Sequence, residues 1–232
     1  MRLYNWKKMY KLRNICIVFI AVLIAACGGK KSAQPEALQN ASDTRDTATT
    51  KTVLFFGDSL TAGYGLDDPS QAFPGVVQNK IDSAKLHYKV INAGVSGETS
   101  AGGKGRIAWI LKQRVDVFVL ELGANDGLRG IPVSETVQNL QAIVDSVKTK
   151  YPNAKLMMLG MQVPPNMGNV YADSFKEIFP DLVKKNKMAF VPFLLKGVGG
   201  EVSLNQHDGI HPTAEGAKIV GDNVWQVLKK IL

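Results

Sequence analysis

Cysteine is nearly absent from this chain: Cys16 and Cys27 are the only two in 232 residues. Beyond position 27 there can be no disulfide, no thiol nucleophile and no cysteine-rich metal site. Histidine is scarce too, with His87, His207 and His211 alone, which leaves few choices for a general base. The apolar run from Ile15 to Ala26 falls short of the ~20 residues that a membrane-spanning helix needs. No basic stretch is interleaved with aromatics. The formal charge of +8 owes five units to Arg2, Lys7, Lys8, Lys11 and Arg13, and without them 23 basic residues face 20 acidic ones, a net of +3. That balance argues against a nucleic-acid partner. No Gly-x-Ser-x-Gly elbow occurs, which counts against the α/β-hydrolase fold.

What the N-terminus does have is a positive region, a short apolar core and small residues before Cys27, the pattern of a secretory signal. The ending Leu23-Ile24-Ala25-Ala26-Cys27 resembles the bacterial lipobox, in which the cysteine is acylated and becomes the first mature residue. Residues 1–26 are thus expected to be a lipoprotein signal peptide. Residues 27–51 would be the lipidated Cys27 and a tether rich in Ser, Thr, Ala, Gln and Asp. Without apolar periodicity such a segment cannot bury enough surface to order itself. Its 24 residues from Gly28 to Lys51 would span on the order of 25–30 Å. The expected location is the bacterial cell envelope, lipid-anchored at Cys27, on the periplasmic face or the outer membrane.

From Thr52 to the end, short apolar runs alternate with longer helical patterns. Strands are expected at Thr52–Phe56, Tyr88–Asn92, Val115–Glu121, Lys155–Gly160 and Met188–Pro192. Helices are expected near Ala72–Ala84, Lys104–Gln113, Ser134–Lys150, Tyr171–Asn186 and Thr213–Lys230, with Ser134 capping its helix. This alternation predicts one domain over 52–232, an α/β fold in which a mainly parallel five-stranded sheet is covered on both faces, a three-layer α/β/α sandwich.

Ser59, in Gly57-Asp58-Ser59-Leu60, falls where the first strand gives way to a turn, the edge of an α/β sheet where ligands bind. A serine there is a nucleophile only if a base reaches it. His87 lies in a polar stretch and reads as a surface residue, and His207 adjoins Asp208, so their side chains diverge. His211 follows Asp208 by three residues, which lets one turn join carboxylate to imidazole. A buried aspartate holding Nδ1–H would leave Nε2 to accept the serine proton. An oxyanion hole needs two or three donors, and two loops can supply them: Ala93 to Thr99, with Gly94 and Gly97, and Gly123 to Gly127, with Asn125.

In combination, Ser after strand one, Gly after strand two, Asn after strand three and Asp-x-x-His before the last helix resemble the four motif blocks of the SGNH, or GDSL, hydrolase family. The resemblance covers roughly residues 52–231. The stretches from Gly57 to Tyr64, from Glu121 to Gly130 and from Asp208 to Pro212 look particularly like its bacterial thioesterase I, lysophospholipase L1 and arylesterase branch. It implies a flavodoxin-like sandwich and a serine esterase acting on acyl esters or thioesters through an acyl-enzyme, with no metal or cofactor. Ser59 would be the nucleophile, His211 the base and Asp208 its orienter. The Ser59 and Gly97 amides and the Asn125 side chain would form the oxyanion hole, with Asp58 and Asp126 bracing their loops. A mobile loop from Gly127 to Pro132 would offer Leu128 and Ile131 to the acyl chain, and a second wall from Met161 to Met167 would offer Pro164, with Ile210 beside the base. The expected partners are a small acyl-ester or lysolipid substrate and a membrane reached through the anchor, the protein itself being a monomer. The rival readings are a carbohydrate O-acetylesterase of the same family and a non-catalytic ligand-binding lipoprotein on the same scaffold.

Overall fold

The apolar run Val53-Leu54-Phe55-Phe56 is wholly buried at the centre of strand β1, Lys51–Gly57. A strand buried on both faces needs a sheet neighbour on each side and a helical layer above and below. β1 has both neighbours, pairing in parallel with β2 (Tyr88–Gly94) and with β3 (Val117–Glu121). Two more strands, β4 (Lys155–Leu159) and β5 (Ala189–Val191), extend the far side in parallel, giving the order β2-β1-β3-β4-β5. The molecule is described here by a computed structural model covering residues 50–232. The proposed leader, Cys27 and the tether through residue 49 lie outside the described residues.

Helices α2 (Phe73–Ser83) and α7 (Ala214–Leu228) pack against each other, while α5 (Val133–Lys150) packs against both α3 (Ser100–Ile110) and α6 (Asn169–Asn186). These are the two outer layers that right-handed crossovers build around this strand order. The α/β sandwich with a parallel five-stranded sheet is therefore the observed fold. The order reverses between β1 and β3, and a crevice opens at the carboxyl ends of such strands. There, Gly57 at the end of β1 is in register with Gly94 of β2 and Glu121 of β3. Three loops consequently leave the sheet side by side.

Local expectations fail where packing overrides pattern. The helix expected from Lys104 begins at Ser100, because Thr99 caps it by accepting from the Gly102 amide. Gly102 and Gly103 fall outside the expected helix, yet they are helical: a Cβ on Gly103 would lie 2.4 Å from the Leu122 side chain. Absence of a side chain lets α3 sit close on the sheet. Ser134 does not cap α5; Pro132 occupies that position, and its carbonyl accepts the Glu135 and Thr136 amides. The third strand starts at Val117, since the Asp116 carboxylate is engaged in accepting the Thr52 amide at 2.8 Å. Two short helices, α1 (Ser59–Ala62) and α4 (Ala124–Leu128), are too brief to leave a periodic signal.

Candidate active site

Asp58 follows β1 and caps α1, its Oδ1 accepting the Leu60 amide at 3.0 Å. This cap turns the chain so that Ser59 begins the helix. Glycine is required just before it, because a Cβ on Gly57 would lie 2.1 Å from Thr61 Oγ1 and 2.4 Å from Glu121 Oε2. At the other end of the chain, Asp208-Gly209-Ile210-His211 forms a surface turn with Gly209 at φ 74°. His211 Nε2 lies 2.8 Å from Ser59 Oγ, and Nδ1 lies 2.7 Å from Asp208 Oδ2. A proton on Nδ1 satisfies the carboxylate and leaves Nε2 free to accept from the serine hydroxyl. The Tyr64 ring packs on the imidazole, with 4.7 Å between centroids. His87 and His207 are exposed and join neither group.

Asp208 departs from the expectation of a buried carboxylate: its side chain is 38% exposed. Hydrogen bonds do the work that burial was expected to do. Its His211 contact, with the Ile210 and His211 amides at 3.0 Å on Oδ1, holds the carboxyl down at about 2. It is therefore ionised throughout the range in which imidazole titrates.

The loop after β2 and the helix α4 after β3 meet beside Ser59. Gly97 has φ 78°, a conformation that glycine adopts without strain, and its carbonyl accepts from Arg129 at 3.0 Å. The Asn125 amide nitrogen donates to the Glu98 carbonyl at 3.0 Å and to Asp58 Oδ2 at 3.2 Å. Both of its hydrogens are thus occupied at rest, and an incoming oxyanion would share or displace the longer bond.

A cavity of about 580 Å³ opens over these groups, lined mainly by apolar side chains. Leu128, Pro164 and Ile210 are among them, as expected, and Ser59, Gly97, Asn125 and His211 form its polar end. Ile131 is not among the lining residues and corrects that part of the expectation. The segment from Gly127 to Pro132 is no open loop, because Gly127 and Leu128 belong to α4. Gly130 then turns the chain at φ 65°, the Ile131 amide bonds back to the Asp126 carbonyl, and Tyr171 donates to the Ile131 carbonyl at 2.8 Å.

Comparison with known proteins decides the family. Residues 55–219 match the model of the GDSL-like lipase/acylhydrolase family. The chain belongs to that family. It is an ester-hydrolysing enzyme of the serine hydrolase type. It is 39% identical to the esterase TesA of Pseudomonas aeruginosa over 186 residues, which cover 80% of this chain and 91% of that one. It is 37% identical to the thioesterase 1/protease 1/lysophospholipase L1 of Escherichia coli, over 80% of this chain and 86% of that one. A crystal structure of TesA superimposes with a TM-score of 0.75 at 39% identity, over 78% of this chain and 100% of that one.

Other residues of this acylhydrolase's site gave little sequence signal. Glu121 ends β3, fully buried, and its Oε2 accepts from the Asp58 amide at 3.1 Å and Thr61 Oγ1 at 2.7 Å. Oε1 has no partner. Burial, with the Asp58 carboxyl as neighbour, pushes Glu121 well above the usual range, and burial also pushes Asp58 up to about 6. Burial thus favours the protonated form of Glu121 beneath the serine turn. Arg106 ties the loops together: it pairs with Glu98, donates to the Ala93 carbonyl at 2.9 Å and the Gly57 carbonyl at 3.3 Å, and covers the Phe56 ring. Asp126 is buried and accepts from the Ser100 amide at 2.8 Å, which braces α4 against α3. Phe193 and Leu195 line the cavity after β5. Asp58 and Asp126 are the loop braces that the motif blocks implied; of the other residues only the glutamate adjoining Leu122-Gly123, a charge inside an apolar strand, carries a sequence signal.

Proposed function

We propose that Ser59, His211 and Asp208 work as a nucleophile, base and orienter, with the Ser59 and Gly97 amides and the Asn125 side chain as the oxyanion hole. One observation carries the reading: the hydrogen-bonded series Ser59–His211–Asp208, at 2.8 and 2.7 Å, ends inside an apolar cavity large enough for an acyl chain. Ser59 Oγ attacks the substrate carbonyl while Nε2 takes the hydroxyl proton. The tetrahedral intermediate collapses to an acyl-enzyme, and the alcohol or thiol leaves with that proton. Water, deprotonated by the same nitrogen, then releases the acid and restores Ser59.

The substrates are monoacyl esters, lysolipids among them, and acyl thioesters where they are available. An apolar lining favours an acyl chain over the acetylated sugar of the O-acetylesterase reading. Cys27 carries the lipid anchor, which holds the domain in the bacterial cell envelope as a monomer. The enzymatic claim is tested with a chain-length series of p-nitrophenyl esters: turnover should vanish in Ser59→Ala, and equal turnover by that variant would refute the triad. For the anchor, Cys27→Ser should release the protein from membranes, and unchanged association would refute the lipidation.

A further inference from the structure

The small net charge of the domain conceals a separation of charge between its two edges. All five strands run in one direction and the helices return against them, so the strand starts and the ends of the longer helices share one edge. That edge is basic. Lys51 begins β1, Lys85 precedes β2, Lys112 and Arg114 precede β3, and Lys155 begins β4. Lys148 and Lys150 lie in the last turn of α5, Lys184 and Lys185 in that of α6, with Lys187, Lys229 and Lys230 in the segments that follow α6 and α7. All of them are exposed. The acidic groups there are few: Asp116, paired with Arg114, Asp82, Asp145 one turn higher on α5, and the terminal carboxylate of Leu232.

Lysines in a last helical turn complement the helix dipole and need no partner to explain them. That reason does not reach Lys51, Arg114 and Lys155, which stand on strands or the connections to them. The same edge exposes Trp109, 67% accessible in the last turn of α3, a residue suited to a membrane–water interface. At the opposite edge, around the cavity mouth, the exposed charges are mostly acidic, including Asp67, Asp68, Glu201 and Asp208, with Arg129 and Lys196 against them.

We infer that the basic edge is a docking surface for an anionic phospholipid bilayer, with Trp109 seated at the interface and the cavity mouth turned away. The chain enters the domain at Lys51, on this edge, so any segment that ties residues 1–49 to a membrane draws this face towards the lipid. The mouth edge also exposes apolar side chains: Tyr64, Leu128 and Ile210 line the cavity itself, while Val95, Val170 and Val202 stand outside it, and the acidic charges on that edge oppose an anionic surface. A mouth that faces away takes its substrate from solution, as monomeric or micellar monoacyl esters, and not from the bilayer beneath.

The surface rests on charge placement and not on the proposed lipidation, so it is tested without the anchor. Residues 50–232 serve, since the solved chain of TesA corresponds in full to this domain. Co-sedimentation with phosphatidylcholine vesicles is compared with that of vesicles containing phosphatidylglycerol. Each cation near an anionic surface strengthens partitioning about fivefold. Binding should require the anionic lipid, weaken steeply with added salt and shift the Trp109 emission to the blue. The variant Lys148→Glu, Lys150→Glu, Lys184→Glu, Lys185→Glu should lose binding by about a hundredfold or more while hydrolysing p-nitrophenyl butyrate like the parent. Lys104→Glu with Lys218→Glu, both towards the other edge, should bind as before. Equal binding to both vesicle types, undiminished binding by the fourfold variant, or loss of binding only in Leu128→Ser and Ile210→Ser would overturn the inference.

Discussion

Replacing Asp58 by asparagine should change the pH dependence of stability more than stability at any one pH. Burial raises the folded pKa of Asp58 from 3.8 to about 6. The folded chain therefore binds that proton more tightly than the unfolded one, by about 3 kcal/mol at 1.36 kcal/mol per pH unit. This stability is fully present below pH 3.8 and is lost as the pH rises through about 6. The asparagine side chain would carry no such proton. Its Oδ1 could still accept the Leu60 amide, but its Nδ2 would confront the Asn125 nitrogen, leaving two donors without acceptors at a cost of about 1–3 kcal/mol. The variant is thus expected to be less stable than the parent at pH 4 and equal or more stable at pH 8. The difference between the two proteins should move by about 2.5 kcal/mol in favour of asparagine across that interval. Urea unfolding followed by tryptophan fluorescence at pH 4, 6 and 8 measures it. Parallel stability curves for the two proteins would show that Asp58 is not held out of its ordinary range, and the account of the buried carboxyl pair would fail.

Asn125→Ala should lower kcat by about 10²–10³ with the fold intact, the usual loss for one oxyanion donor; a fall below tenfold in ester turnover would remove Asn125 from the hole. Arg106→Lys keeps the charge but cannot span Glu98, Ala93 and Gly57 together. It should therefore depress kcat while vesicle binding and chain-length preference stay unchanged, and wild-type kcat would show that the loops stand without the fork. Gly103→Val drives a Cβ to 2.4 Å from Leu122, an overpacking that should cost about 1–3 kcal/mol in chemical denaturation. Asp208→Asn should lower kcat by about 10⁴ with the fold intact, the loss that follows when the orienting carboxylate of such a triad becomes an amide. A fall below tenfold in ester turnover would remove Asp208 from the triad.

The fold is legible in the sequence because its signals are local and repeated. Val53 to Phe56 is too apolar for anything but a buried strand, and the helices between strands carry their own periodicity. The family is legible because its motif blocks are short, separate and rich in residues with special geometry, such as Gly57 before Ser59 and the aspartate three residues before His211. The start of α3 is not, since its glycines are needed for packing against Leu122, which lies beyond the next strand. Nor is the place of Ile131 outside the cavity, because a hydrogen bond from Tyr171, distant in sequence, fixes its turn.

What the sequence determines by itself is what depends on neighbours along the chain: strand and helix identity, the capped turn at Asp58, the turn that brings Asp208 to His211, and the family. Tertiary structure alone decides how Ser59 meets His211 across 152 positions, why Asp208 relies on hydrogen bonds while exposed, and why burial favours the protonated form of Glu121. It also gathers lysines from four helix-to-strand connections and from both ends of the domain onto one edge. Desolvation and charge separation are sums over everything packed around a group, and no local pattern in the chain carries those sums.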